Sequence, residues 1–278
     1  MIKVTLTNEM LSYITEIEQN RYKVSSVKLS KTVMNKLRKN SKKKSSYASN
    51  KIEGNPLSEK QVDEVIESDE RKHYLRPEQE VRNYFLALNY LEEKVNKKEK
   101  FSKKLILDVQ KLVEKGASKE KIGLRGPMPP GVLFAVYDSK TGNTDYIPPE
   151  YCDIPRLLDE LIEYVNTTDD HPLIVAAVVH YQLVTIHPFE DGNGRTARLL
   201  SGYIMDLNGY GFNGIGSLEE YFAYDVDEYY ESIQMGLPAL DYSGRENPPH
   251  PEIWIHYFLR MVKLYSGKVC DLQLASEE

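Results

Sequence analysis

Cysteine is scarce: Cys152 and Cys270 are the only two among 278 residues. Lacking a CxxC spacing, they form neither a common zinc site nor a thioredoxin-like redox motif, and they fit a reducing, cytoplasmic setting. Long apolar runs are missing too. The opening MIKVTLTNEMLSYITEIEQN breaks its apolar start with Asn8 and Glu9 before a signal-peptide core can form. No other segment reaches membrane length, so no membrane partner is expected. An excess of positive charge is also absent. The formal charge is −6 and the pI about 5.7, which excludes a surface built throughout for phosphate backbones. The lysines at 42–44, inside the one low-complexity patch LRKNSKKKSS, read as solvated charge on a loop or helix end, and nucleic acid is not an expected partner. No repeat of solenoid length is visible.

What remains is a chain with 41% hydrophobic residues, enough to bury a substantial core. Its dominant period is helical. Residues 57–69 open on Ser58 with Gln61 three positions later, the spacing of a capping box. Residues 78–95 carry Val81, Phe85, Leu86, Leu88, Tyr90 and Leu91 as an apolar stripe. Ser102 can cap a further helix with Leu105, Ile106, Val109 and Leu112 at helical spacing, and Gly116 permits a left-handed exit. Between 123 and 149 the pattern changes to glycines, prolines and two short strand-like runs, 132–137 and 144–147, around a turn rich in Asp, Ser, Gly and Asn. The expected fold is mainly α with a small β-hairpin.

Chemistry concentrates in His187-Pro-Phe-Glu-Asp-Gly-Asn-Gly-Arg-Thr-Ala-Arg198. A helix is expected before it over 172–186, with Leu173, Ala177, His180 and Val184 on one face, and another after it over 195–207, stopped by Asn208 and Gly209. The turn between them has a chemical logic. Gly192, Asn193 and Gly194 can point successive amides inward where a helix begins, which makes an anion cradle. Arg195 and Arg198, one turn apart, suit a polyphosphate. Asp191 offers hard oxygens to Mg²⁺, whose shell phosphate and water complete. His187, neutral near pH 7, can take a proton from an incoming hydroxyl. Phe189 reads as the anchor of the loop in the core. His180 lacks HExxH spacing and reads as a packed structural histidine. The loose G-x-G-x-x-A match over 192–197 follows a helix rather than a strand, against a dinucleotide fingerprint.

This stretch resembles the signature of the Fic family, HPFx(D/E)GNGRxxR, with every signature position filled. The likeness extends from about Ser49 onward and includes Tyr229, Tyr230 and a helix around Trp254, Phe258 and Leu259. It implies a Fic-type helical domain with a small β-hairpin flap, and protein adenylyltransferase activity with ATP as co-substrate and Mg²⁺ as cofactor. His187 would be the base, Asp191 the metal ligand, and Gly192, Asn193, Gly194, Arg195 and Arg198 the nucleotide site. The segment Ser49-Asn-Lys-Ile-Glu53-Gly-Asn is similar to the family's inhibitory helix, placed at about 45–55, in which Glu53 would pair with Arg198 and Ser49 would bond within the nucleotide site. A target protein would dock along the flap edge, Val132, Leu133, Phe134, Ala135, Val136 and Tyr137. The implied organisation is an N-terminal helical region over 1–100, the catalytic domain over 101–266 and a tail over 267–278. Removal of AMP, transfer of another nucleotide, and a non-catalytic nucleotide-binding regulator stay open, as does a homo-oligomer.

Overall fold

The computed structural model describes residues 4–68, 73–117, 122–137, 142, 144–235 and 250–276. Among them the chain forms helices α1 (Asn8–Ser26), α2 (Lys31–Ile52), α3 (Glu59–Glu67), α4 (Arg76–Asn96) and α5 (Lys103–Glu114), then strands β1 (Val136–Tyr137) and β2 (Thr144–Tyr146). Helices α6 (Ile154–Thr167), α7 (Pro172–Ile186), α8 (Asn193–Leu207), α9 (Glu219–Phe222), α10 (Val226–Gln234) and α11 (Pro251–Leu274) follow. The start signals read from sequence operate as expected. Ser58 and Gln61 close a reciprocal capping box on α3, Ser102 accepts from Leu105 N–H at 3.2 Å to start α5, and Gly116 turns out of it at φ +72°.

The core is organised around α7, which packs on α6, α8 and α11. Its sequence PLIVAAVVHYQLVTI carries no charge, and nearly every side chain from Leu173 to Ile186 is buried. A helix apolar all round is a buried helix, so the one-sided face expected for it understates its burial, and Val184 is among the least buried of that face. On α4 the buried stripe is Val81, Asn83, Tyr84, Ala87 and Leu91, while Leu86 points outward. Here Tyr84 reaches inward to donate to Glu219 at 2.9 Å, which rotates the face by about one position from the apolar count.

Of the two N-terminal helices, α2 reaches the site. Helix α1 lies along α11, which runs unbroken past 266. Helix α2 crosses α4 and α9 and absorbs the lysine-rich patch. The expectation of a loop or helix end there is therefore corrected: the patch lies within α2. Lys43 reaches Glu67 at 2.6 Å, Lys44 reaches Glu220 at 3.2 Å, and Lys42 meets Glu92. The flanking Ser41, Ser45, Ser46 and Ser49 are small enough to bury against the neighbouring helices.

The hairpin is shorter than expected. Strands β1 and β2 pair antiparallel as Val136↔Tyr146 and Tyr137↔Thr144 with an irregular register. Residues 132–135 lie outside the ladder: continuing the Val136↔Tyr146 register would set them against residues 147–150, where Pro148 and Pro149 lack the N–H that a ladder needs. Most of the expected turn falls outside the described residues. Leu124 forms a single antiparallel bridge to Phe189 and pins the motif loop to the base of the hairpin.

Candidate active site

The motif is a turn between two packed helices. Helix α7 ends on His187, whose backbone is left-handed at φ 47° and ψ 58°, with its N–H still donating to Leu183. Phe189 is buried at 1% exposure and anchors the loop. Asn193 then clamps the turn shut: Phe189 N–H donates to its Oδ1 at 3.0 Å, and its Nδ2 donates to Phe189 O at 2.9 Å. Its side chain is thus engaged within the loop, and what Asn193 can offer a phosphate is its backbone amide. Gly192 turns at φ +80° and starts α8, and the first-turn amides of a helix have no intrahelical acceptor. The start of α8 thus brings first-turn backbone amides without intrahelical acceptors up to the motif loop.

Burial dominates the chemistry of His187 and lowers its pKa to about 4, with the nearby Arg125 charge pushing the same way and the Val184 hydrogen bond, Glu53 and Asp191 opposing. Its Nδ1 lies 3.3 Å from Val184 O. A neutral ring with the proton on Nδ1 donates to that carbonyl and leaves a lone pair on Nε2, the state a general base needs.

Arg195 and Arg198 do not share a partner. Arg195 turns into an acidic cluster under the cradle, 2.9 Å from Glu114 and 3.2 Å from Asp191. Glu114 is fully buried, and burial raises its pKa to about 7 against the pull of Arg195. Arg198 faces α2 instead. Its Nε donates to Ser49 Oγ at 2.8 Å, its Nη2 to Ser49 O at 3.0 Å and to Glu53 Oε1 at 2.6 Å, and its Nη1 to Tyr229 OH at 3.2 Å. Glu53 is the C-cap of α2, where the helix dipole disfavours a carboxylate. The start of α8 and Arg198 offset that cost. A Cβ on Gly194 would stand 2.4 Å from Glu53 Oε1, so the carboxylate lies directly over the first turn of α8.

A family model described as Fic/DOC family matches residues 100–205. The chain belongs to the Fic/DOC family. It is 31% identical over 228 residues to protein adenylyltransferase fic-1 of Caenorhabditis briggsae, covering 79% of this chain and 42% of that protein. To protein adenylyltransferase Fic of Nematostella vectensis it is 29% identical over 212 residues, covering 74% of this chain and 46% of that one. It therefore spans less than half the length of these curated relatives. A crystal structure of a Fic family protein from Desulfovibrio desulfuricans G20 shares the fold with a TM-score of 0.77 at 21% identity, over 98% of this chain and 77% of that one.

The Fic loop supplies one candidate metal ligand. Asp191 Oδ1 accepts from Gly192 N–H at 2.8 Å and from Arg195, and Oδ2 accepts from Arg76 at 3.3 Å. Among the described residues no cluster of three His, Cys, Asp or Glu could hold a metal ion. Asp191, a single partly exposed carboxylate of the loop held by Gly192, Arg195 and Arg76, would suit Mg²⁺ in the mode in which phosphate and water supply the other oxygens.

Along the Fic flap, Val132, Leu133 and Tyr137 are exposed, whereas Phe134 turns inward to within 5.9 Å of the His187 ring. His180 is fully buried and bonded to Tyr229 OH at 2.8 Å, as a packed structural histidine would be. Sequence reasoning missed Glu114, Arg125, Glu80 and Arg76 at this site. Each comes from a helix or loop far away in sequence, and none carries a local motif that could have marked it.

Proposed function

We propose that this chain transfers AMP from ATP to a hydroxyl side chain of a target protein, and that Glu53 holds the enzyme in check. The observation that carries the reading is the pairing of a left-handed His187, its Nδ1 turned to a main-chain carbonyl, with an amide cradle five to seven residues later at the start of α8. The adenylyltransferase names of the curated relatives support the donor and the reaction class.

In this mechanism the first-turn amides of α8 bind the phosphates, and Arg195 and Arg198 meet their negative charge. Mg²⁺ on Asp191 would supply charge neutralisation to the α- and β-phosphates. His187 Nε2 takes the proton as the target's hydroxyl oxygen attacks the α-phosphorus. The bond between that phosphorus and the bridging oxygen breaks, and pyrophosphate leaves with the electron pair. Orientation and electrostatics, rather than a covalent enzyme intermediate, provide the rate. The exposed flap edge presents the hydroxyl by main-chain pairing.

Glu53 regulates by occupying Arg198. A triphosphate seeking the same guanidinium must displace a carboxylate 2.6 Å away. The test is transfer of label from α-labelled and γ-labelled ATP to protein by the Glu53→Gly variant. Label should move from the α position only, and His187→Ala should abolish it while ATP still binds. Movement of the γ-label, or turnover without His187, refutes the reading.

A further inference from the structure

We propose that Arg125 is a positioning residue for the base, fixing the left-handed backbone of His187 and fastening both arms of the flap to it. The inference rests on the reading of His187 as base. A non-glycine residue at φ 47° persists only where its surroundings over-determine it. Arg125 does so twice. Its backbone N–H donates to Pro188 O at 2.9 Å and its Nε to His187 O at 2.8 Å, so both peptide carbonyls that follow the base are gripped by one residue.

The rest of the guanidinium engages the flap. Nη2 donates to Pro149 O, just past β2, and the guanidinium carbon sits 4.7 Å from the centre of the Phe134 ring, just before β1. Phe134 in turn lies against the His187 ring. A single buried side chain, 5% exposed, thus joins the motif loop to the segments on either side of the hairpin. Only a planar fork with several donors and a stacking face can do all three at once; a lysine would have to choose. The consequence is that the imidazole at the end of α7 and the edge that presents the hydroxyl keep a common register.

The experiment compares Arg125→Gln and Arg125→Lys in the full chain carrying Glu53→Gly. Three quantities are read: the titration midpoint of ¹⁵N-labelled His187 by NMR, the dissociation constant for ATP, and kcat for label transfer. Arg125→Gln removes a cation that opposes imidazole protonation, so the His187 midpoint should rise. ATP affinity should stay at the parent value, and kcat should fall by about 100-fold, the scale of an ångström-sized misplacement. Arg125→Lys keeps the charge but loses the fork, so the midpoint should stay low while kcat still falls. A His187 midpoint unmoved in Arg125→Gln overturns the proposal. So does a loss of thermal stability and ATP affinity together with no specific loss of kcat. If Arg125→Gln does not fold, Arg125→Lys decides by its kcat at constant ATP affinity. Should the Glu53→Gly parent transfer nothing, the functional reading fails, and the NMR titration still judges Arg125.

Discussion

Removing Glu53 perturbs the ion pair on which the regulatory reading depends, and its size follows from the contacts. Arg198 is 1% exposed at its side chain and Glu53 33%, so the pair is neither a solvated surface bridge nor a fully desolvated one. A hydrogen bond to a charged group contributes about 1.5–3 kcal/mol. In Glu53→Gly, Arg198 retains Ser49 Oγ, Ser49 O and Tyr229, so the stability loss should fall at the low end, about 1.5 kcal/mol, below the range for stranding a wholly buried charge. The same contact opposes ATP binding, because the guanidinium must release the carboxylate first. Eliminating it should tighten ATP by about 10- to 150-fold, the equivalent of about 1.5–3 kcal/mol. Calorimetric titration of wild type, Glu53→Gln and Glu53→Gly with ATP and Mg²⁺ measures this. Glu53→Gln keeps the volume and loses the charge, so it should recover much of the gain. Equal ATP affinity in all three would refute the competition argument.

Other consequences are as specific. Gly194→Ala places a carbon 2.4 Å from Glu53 Oε1, so it should destabilise the wild type by about 1–2 kcal/mol but be neutral in Glu53→Gly, a non-additivity readable by urea unfolding. His187 has a folded pKa near 4, below its ordinary 6.5, so the unfolded chain binds more protons between those values and stability falls as pH drops through that window. His187→Gln should flatten that slope in pH-dependent melts, and the acid limb of kcat/KM in the active protein should lie well below pH 6.5. Glu114 behaves oppositely. Its pKa is raised from 4.5 to about 7, so the native state binds more protons across that interval and its favourable contribution disappears as pH rises through it. Glu114→Gln should remove this loss between about pH 4.5 and pH 7, measured as the urea midpoint.

The motif loop is the most legible part of the chain because its information is local. A tight turn between two long periodic segments requires its glycines, and His187, Asp191 and the arginines are separated by spacings that a single helix start converts directly into geometry. The same holds for the caps at Ser58 and Ser102. What escaped the sequence is what tertiary contact decides. The lysine-rich patch reads as solvated because lysines usually are, yet the serines flanking them let α2 press against α4 and α9 while the lysines reach acids on other helices. Helix spacing places Arg195 and Arg198, one turn apart, on one face aimed at a common polyphosphate, but the positions of Glu114 and Ser49, dozens of residues away, send them to different partners. Among the described residues the flap strands are short because Pro148 and Pro149, opposite the expected start of β1, have no N–H to offer the ladder. Arg125 and Glu114 lie in unremarkable local sequence, and the fold alone brings them to the site.

The central claim, that the start of α8 holds a nucleotide while His187 activates a hydroxyl beside it, is met most directly by mass spectrometry of intact protein. Glu53→Gly and the double variant Glu53→Gly/His187→Ala would be incubated with ATP, Mg²⁺ and a cell lysate. The account predicts added AMP on the single variant or on a lysate protein, and none with the double variant. No AMP adduct from either, with ATP shown to bind, or an equal adduct from both, would contradict it.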